Sequence, residues 1–242
     1  MGPTILTVLA HPDDESFGPA ALLVREARAG ARVHGLFATR GEHGQTHLDP
    51  APSRSELARM REQDLREAAD LIGYADVELL GYADGGLADL PAGELEGRVR
   101  DALRRHRPAV VITFGPAGVT RHPDHVAISR ATTAAFHRAR AGRLGPRALF
   151  YQAVGPEEAK EQGIVGEPDA EPNTFLDVAE TQPIKLAALR LHARHMTDAT
   201  EMLRRLEARP ESVAMLHRAW PPVAHGRRLT TLLPRTASRA RT

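Results

Sequence analysis

The stretch TILTVLAHPDDESFG, Thr4 to Gly18, decides how the rest of the chain is read. Its first seven residues, Thr4–Ala10, are apolar or β-branched with little alternation, as in a strand buried on both faces of a parallel sheet. The run stops at a histidine, a proline and three consecutive acids, and from Ser16 to Ala29 the residues turn small and helix-forming. Strand, charged break and helix in that order begin a βαβ unit. Three carboxylates beside an imidazole at a strand end repel one another and resist desolvation. A cation among them removes the conflict.

Working outward, the same alternation repeats. Arg32–Ala38, Val77–Tyr82, Ala109–Phe114 and Ala148–Val154 read as further strands, and Ser55–Leu71, Glu94–His106 and His125–Ala141 as further helices. Gly30, Gly73 and Gly142 stand where helix C-caps belong. The pattern predicts the α/β class: a Rossmann-like three-layer sandwich with a mostly parallel sheet in the order 3-2-1-4-5. Thr174–Val178 reads as a last strand and Pro183–Leu206 as a last helix. Two stretches break the rhythm, the polar loop Gly41–Arg54 and the irregular Gly155–Asn173; long loops on compact domains often carry function. No repeat or linker divides the chain, so one domain over residues 1–234 is expected, with a basic, flexible tail at 235–242.

Composition narrows the function classes. The 242 residues carry a formal net charge of +1, so no global field draws nucleic acid or an anionic membrane. All 32 basic residues except Lys160 and Lys185 are arginine, mainly a coding preference. There is no cysteine, which excludes disulfides, thiolate metal sites and cysteine nucleophiles. No apolar run approaches the roughly 20 residues of a membrane span. The start lacks a basic n-region, so it does not read as a signal peptide, and a cytoplasmic location is expected. Oligomeric state stays open, a homo-oligomer included.

A second cluster, RHPDHVAISRA (Arg121–Ala131), repeats His-Pro-Asp at the same structural place, after a strand and before a helix. In open α/β sheets ligands bind outside the carboxyl ends of the strands, where the strand order reverses. With strands one and four as neighbours, the two clusters face each other across that crevice. His11, Asp14 and His125 can then supply two imidazoles and one carboxylate with a coordination position open, as in a catalytic zinc site. Such a metal lowers the pKa of its bound water and polarises a carbonyl. Asp13 is placed to act as general base, His122 to stabilise an oxyanion and Asp124 to orient an imidazole. Alternatives stand beside each piece. A lone His-Pro-Asp is commonly just a helix start, Glu15 suits a first-turn helix acid, and two histidines with one carboxylate also suit non-haem iron(II).

The motifs AHPDDE, TRGEHG (Thr39–Gly44), MREQDLREAADLIG (Met60–Gly73), LGYADGGL (Leu80–Leu87) and GVTRHPDH (Gly118–His125) resemble, in order and spacing, those of the LmbE-like family. That family contains N-acetylglucosaminyl-phosphatidylinositol de-N-acetylase and the sugar deacetylases of mycothiol and bacillithiol synthesis. The resemblance spans roughly residues 3 to 200. It implies a metal-dependent amidohydrolase, usually with zinc, that removes acetyl from a small-molecule N-acyl amino sugar of the N-acetylglucosamine type. It implies His11, Asp14 and His125 as ligands, Asp13 as base and His122 at the oxyanion.

The resemblance also makes Arg61 a contact to a substrate hydroxyl or phosphate, against a plain surface arginine. It makes Asp84 a sugar-hydroxyl acceptor, against a turn residue, and sets Glu42 beside the pocket, against a solvated loop acid. His43 and His47 read as loop residues. His192, in KLAALRLHARH, either closes the pocket or is structural. Two departures leave the aglycone open: Thr120 replaces the tyrosine of the mycothiol deacetylases, and Arg194 and His195 stand where Ser-Gln usually follows. The rival classes are an iron(II) oxygenase, which would consume oxygen, and a non-catalytic sugar-binding module. The latter fits poorly with carboxylates in a turn that would need amides for a phosphate.

Overall fold

Five parallel strands form the sheet's framework: β1 (Thr4–Leu9), β2 (Arg32–Thr39), β3 (Tyr74–Tyr82), β4 (Val110–Phe114) and β5 (Ala148–Gln152). They lie in the order 3-2-1-4-5, as the sequence predicts, in a computed structural model that describes residues 2–142, 145–161, 164 and 170–233. The tail expected at 235–242 lies outside the described residues, as do several positions of Gly155–Asn173. Beyond β5 the sheet continues with two antiparallel strands, β6 (Thr174–Asp177) and β7 (Val213–Trp220), giving seven in the order 3-2-1-4-5-7-6. The sequence reading did not anticipate β7. Of its eight residues only Leu216 is buried, and its short apolar start, Val213–Leu216, is cut off by His217 and Arg218 with no clean alternation.

The helices are α1 (Asp14–Phe17), α2 (Ala20–Arg28), α3 (Arg54–Ile72), α4 (Glu94–His106), α5 (Gly118–Arg121), α6 (Pro123–Ala139), α7 (Pro156–Glu161), α8 (Gln182–His192) and α9 (Thr197–Ala208). They cover both faces of the sheet. Leu6 and Val8 of β1 pack with Leu95 and Val99 of α4 and Ile128 and Phe136 of α6. Ile5 packs the other way, with Leu22 of α2, Ala68 and Ile72 of α3 and Ala188 of α8. β1 is thus buried on both sides, which is why its sequence reads as an unbroken apolar run. No helix among the described residues is long and apolar enough to cross a membrane.

Two expected helices are each a pair. Ser16–Ala29 breaks at Gly18–Pro19, where proline has no N–H to continue the ladder. Pro183–Leu206 breaks between His192 and Thr197, because the loop after β2 takes over its backbone groups. The Thr46 hydroxyl donates to the His195 carbonyl at 2.7 Å, and the Thr197 N–H donates to the Gln45 carbonyl at 3.0 Å. α3 meets expectation at both ends: Ser53 and Glu56 form a reciprocal capping box, and Gly73 closes the helix at φ 91°.

Candidate metal centre

β1 and β4 are neighbours in register, so the segments leaving their carboxyl ends start side by side. After β1 the chain turns at Asp13, whose φ of 102° is rare for a residue with a side chain; such conformations cost about 1–3 kcal/mol and are held by their surroundings. Here Glu15 Oε2 accepts the Asp13 N–H at 3.0 Å, and the Asp13 carbonyl accepts the N–H groups of Ser16 and Phe17 at 2.8 Å each. After β4 the short α5 leads to His122, which caps α6 by accepting the Asp124 N–H on its ring Nδ1 at 3.2 Å.

The hydrogen bonds around the three histidines fix which ring nitrogens carry lone pairs. His125 Nδ1 lies 3.0 Å from the Gly118 carbonyl, which can only accept, so its Nε2 is the bare nitrogen. His11 Nε2 lies 3.1 Å from Asp84 and 3.3 Å from Asp124, so in the neutral ring the proton sits there and Nδ1 is bare. Those two bare nitrogens face each other at 3.2 Å. The Asp14 carboxylate completes the triangle, with Oδ1 3.3 Å from His125 Nε2 and Oδ2 3.7 Å from His11 Nδ1. Donors around a tetrahedral zinc, at bonds of about 2.0–2.1 Å, stand roughly 3.3–3.4 Å apart. Two lone pairs and a carboxylate aimed at one point suit a divalent cation.

Two other donor groups compete on distance alone. His122 joins His11 and His125 with ligand atoms within 4.8 Å of one another, and Asp84 and Asp124 do the same around His11. Hydrogen bonding separates them. His122 accepts on Nδ1, so its neutral ring carries the proton on Nε2 and presents a donor. Asp124 already accepts the Gly85 and Leu87 N–H groups at 2.7 and 3.1 Å, and Asp84 accepts the His43 N–H at 2.8 Å. These carboxylates brace His11 from behind, the usual outer partners of a ligating histidine. Phe114 stacks on the His125 ring at 4.0 Å and 8°, fixing its plane.

The electrostatics repeat the pattern. Burial alone would lower the His11 pKa, but the hydrogen bonds to Asp124 and Asp84 and the charge of Asp14 carry it up to about 10. Burial would raise Asp14, yet His125 and His11 hold it at about 2. That pKa puts a second proton on His11 Nδ1, the nitrogen that is bare in the neutral ring, and a cation bound there would displace it. Burial pushes Asp13 up to about 7, with the Arg61 guanidinium pulling against it. His122 is lowered, by burial first and then by the neighbouring His11 and His125.

Four residues expected at the substrate are placed as follows. Arg61 is not a surface arginine: it is buried, 2.5 Å from Asp13 Oδ2, and also donates to the carbonyls of Gly41 and Pro12. Asp84 lines the cavity but engages both carboxylate oxygens with His11 and His43. Glu42 accepts the Asp84 N–H at 3.0 Å, tying the long loop to the turn after β3. His192 is fully buried behind the site and meets Glu15, also fully buried, at 2.7 Å. Glu15 is therefore more than a first-turn acid, because it links His192 to the strained Asp13.

The cavity in front of these groups measures about 470 Å³. His11, Asp13, Asp14, His122 and His125 line one side of it. Met202 of α9 and Val213, Met215 and Leu216 of β7 line another. No sequence signal marked this second wall, since β7 itself was not legible.

A family model described as PIG-L, GlcNAc-PI de-N-acetylase, matches residues 6–136, more than half of the chain. The chain belongs to the PIG-L family. Among PIG-L relatives, a 1D-myo-inositol 2-acetamido-2-deoxy-alpha-D-glucopyranoside deacetylase of Kineococcus radiotolerans is 34% identical, over 80% of this chain and 69% of its own. A probable N-acetyl-alpha-D-glucosaminyl L-malate deacetylase 2 of Bacillus anthracis is 31% identical, over 84% of this chain and 86% of its own. Among solved structures, the N,N'-diacetylchitobiose deacetylase of Pyrococcus horikoshii superposes with a TM-score of 0.70, over 89% of this chain and 83% of its own. At 20% identity that last likeness shows that the PIG-L chain shares the fold.

Proposed function

We propose that this PIG-L chain is a metal-dependent N-deacetylase that hydrolyses the acetamide of an N-acetylglucosamine-type substrate. The observation that carries the reading is the triangle of His11 Nδ1, His125 Nε2 and Asp14, open to the cavity with Asp13 and His122 on its rim. His11, Asp14 and His125 hold the cation, zinc in the first place because the donors are nitrogen and oxygen at near-tetrahedral separations. The cation supplies Lewis acidity, making water a better nucleophile near neutral pH and polarising the amide carbonyl.

The chain's own groups handle the protons. Asp13 takes the proton of the attacking water; a carboxylate raised towards neutrality can also give that proton up again. Arg61 holds Asp13 Oδ2, leaving Oδ1 for this work. The water oxygen bonds to the amide carbon, negative charge collects on the carbonyl oxygen, and His122 Nε2–H donates to it without needing a second proton. When the carbon–nitrogen bond breaks, the proton on Asp13 passes to the leaving amine, and acetate and free amine depart. The two curated relatives differ in aglycone, inositol against malate, and share the acetylated glucosamine in their names. The shared part is what this chain is proposed to recognise.

The test is a panel of N-acetylglucosamine conjugates scored for released acetate, before and after chelation and after readdition of zinc. Acetate release that chelation abolishes and zinc restores is expected. A metal-loaded enzyme that releases no acetate from any conjugate would overturn the reading.

A further inference from the structure

A second set of metal-ligating side chains meets near the amino-terminal end of the sheet, away from the centre at its carboxyl end. His34 is the third residue of β2 and Asp76 the third of β3, and they are register partners on adjacent parallel strands. Partners of that kind project from the same face. His106, the last residue of α4, lays its ring against His34 with centroids 4.1 Å apart and a tilt of 36°. His34 Nδ1 is hydrogen-bonded to Asp76 Oδ1, and one ligand atom from each of the three lies within 4.8 Å of the others.

A hydrogen bond between His34 and Asp76 would satisfy those two residues by themselves. It leaves His106 unexplained. Its ring lies against His34, and that contact brings a second imidazole to the same spot. A cation would displace the proton that His34 and Asp76 share, freeing one imidazole nitrogen and the carboxylate as ligands, with His106 supplying the second imidazole. Arg105, the residue before His106, is paired with Glu78 at 2.5 Å, which offsets its charge.

We propose that His34, Asp76 and His106 form a second divalent-cation site, selective for zinc-like transition ions over magnesium or calcium. Imidazole donors set that preference, since the hard cations take oxygen ligands. His34 is buried while the Asp76 side chain is 55% exposed, so the ion enters from the solvent side and keeps water in its remaining positions. Bringing donors that lie within 4.8 Å of one another to the roughly 3.3–3.4 Å of a tetrahedral zinc requires a shift of at most about 1.5 Å, which falls to His106. It sits on the last turn of α4, where a shift disturbs least. β3 is the edge strand of the sheet, so an ion shared by β2, β3 and α4 ties that edge to the helix layer. The role is structural and independent of deacetylation, and an ion bound only by the folded state raises its stability.

The full chain, stripped with chelator and titrated with zinc ion alone, tests this. Calorimetry and elemental analysis should count two equivalents in wild type and one in Asp76→Asn and in His106→Asn. Both residues are at least partly exposed, so these variants fold. His11→Ala should also keep one, and His11→Ala combined with His106→Asn should keep none. Zinc added beyond the first equivalent should raise the melting temperature of wild type and not of Asp76→Asn, while acetate release stays the same in both. A single equivalent in wild type, or a second equivalent that survives both Asp76→Asn and His106→Asn, overturns the proposal. Because the count does not depend on catalysis, it stands or falls apart from the deacetylase reading.

Discussion

His192→Leu removes the imidazole that faces Glu15 behind the metal centre, and the structure sets the size of the effect. Both side chains are completely buried and 2.7 Å apart. Taking away one member of a buried ion pair costs about 3–5 kcal/mol, because the other charge is left without its partner. Glu15 keeps two donors, the Ser16 hydroxyl at 2.6 Å and the Asp13 N–H at 3.0 Å, so the low end is expected. For a chain of this size a loss of about 3 kcal/mol lowers the melting temperature by roughly 6–12 °C. Burial works to lower the His192 pKa, but Glu15 and then Asp13 outweigh it, and the folded-state value is raised. A raised value means that the stability linked to this proton is fully present below about pH 6.5 and fades as pH rises through the folded-state value. The gap between wild type and His192→Leu should therefore be widest at mildly acidic pH and shrink towards alkaline pH. Urea unfolding across that range reads it directly. A gap below about 0.5 kcal/mol, the scatter of neutral substitutions, or a gap that ignores pH would refute an ionised pair. Turnover should fall with stability while metal content holds, since Glu15 also fixes the backbone of Asp13.

Asp13→Asn should lower kcat by at least about 100-fold, the small end of general-base contributions, with zinc content unchanged on elemental analysis. In contrast, His11→Ala, Asp14→Ala and His125→Ala should each lose the metal at that centre; if Asp13→Asn loses it equally, the two carboxylates have been assigned the wrong way round. Asp124→Asn weakens the bracing of His11 and should cost about 10- to 100-fold in zinc affinity, measured by competition with a chelating dye. His122→Ala should reduce kcat by about 100- to 1000-fold with little change in KM, and a change confined to KM would place His122 outside the oxyanion's reach.

β1, β2, β4 and β5 were legible because they are buried along most of their length, and double burial writes a continuous apolar run. β3, buried only at Tyr74, was legible over its second part alone, Val77–Tyr82. β7 was not, because seven of its eight residues are only half-buried or exposed. The break between α8 and α9 was invisible for a different reason: it depends on Gln45 and Thr46, about 150 residues earlier, and a local window sees only a helical pattern. The same limit applies within the site. Two His-Pro-Asp motifs at equivalent strand ends pointed to the crevice, and β1 and β4 do bring them together. The outer residues were harder, because a side chain's type states what it can bond and not which partner reaches it first. The sequence reads Arg61 and Asp84 towards a sugar, Glu42 as beside the pocket or a loop acid, and His192 as closing the pocket or structural. In the fold Arg61, Asp84, Glu42 and His192 bond to Asp13, His11, the turn after β3 and Glu15 respectively.

The two walls of the cavity come from different parts of the chain, and that has a consequence for how its selectivity can change. Every group proposed to hold the cation or move a proton falls between His11 and His125, inside the 6–136 stretch that matches the family. Met202, Val213, Met215 and Leu216 lie well after it and face the same space from β7 and α9. A substitution on that later wall reshapes the room for an aglycone without touching a ligand or a proton carrier. If the proposed function holds, chemistry and substrate range are separable in this molecule. Libraries confined to residues 202–216 should retune which conjugates are accepted while leaving the hydrolytic step intact.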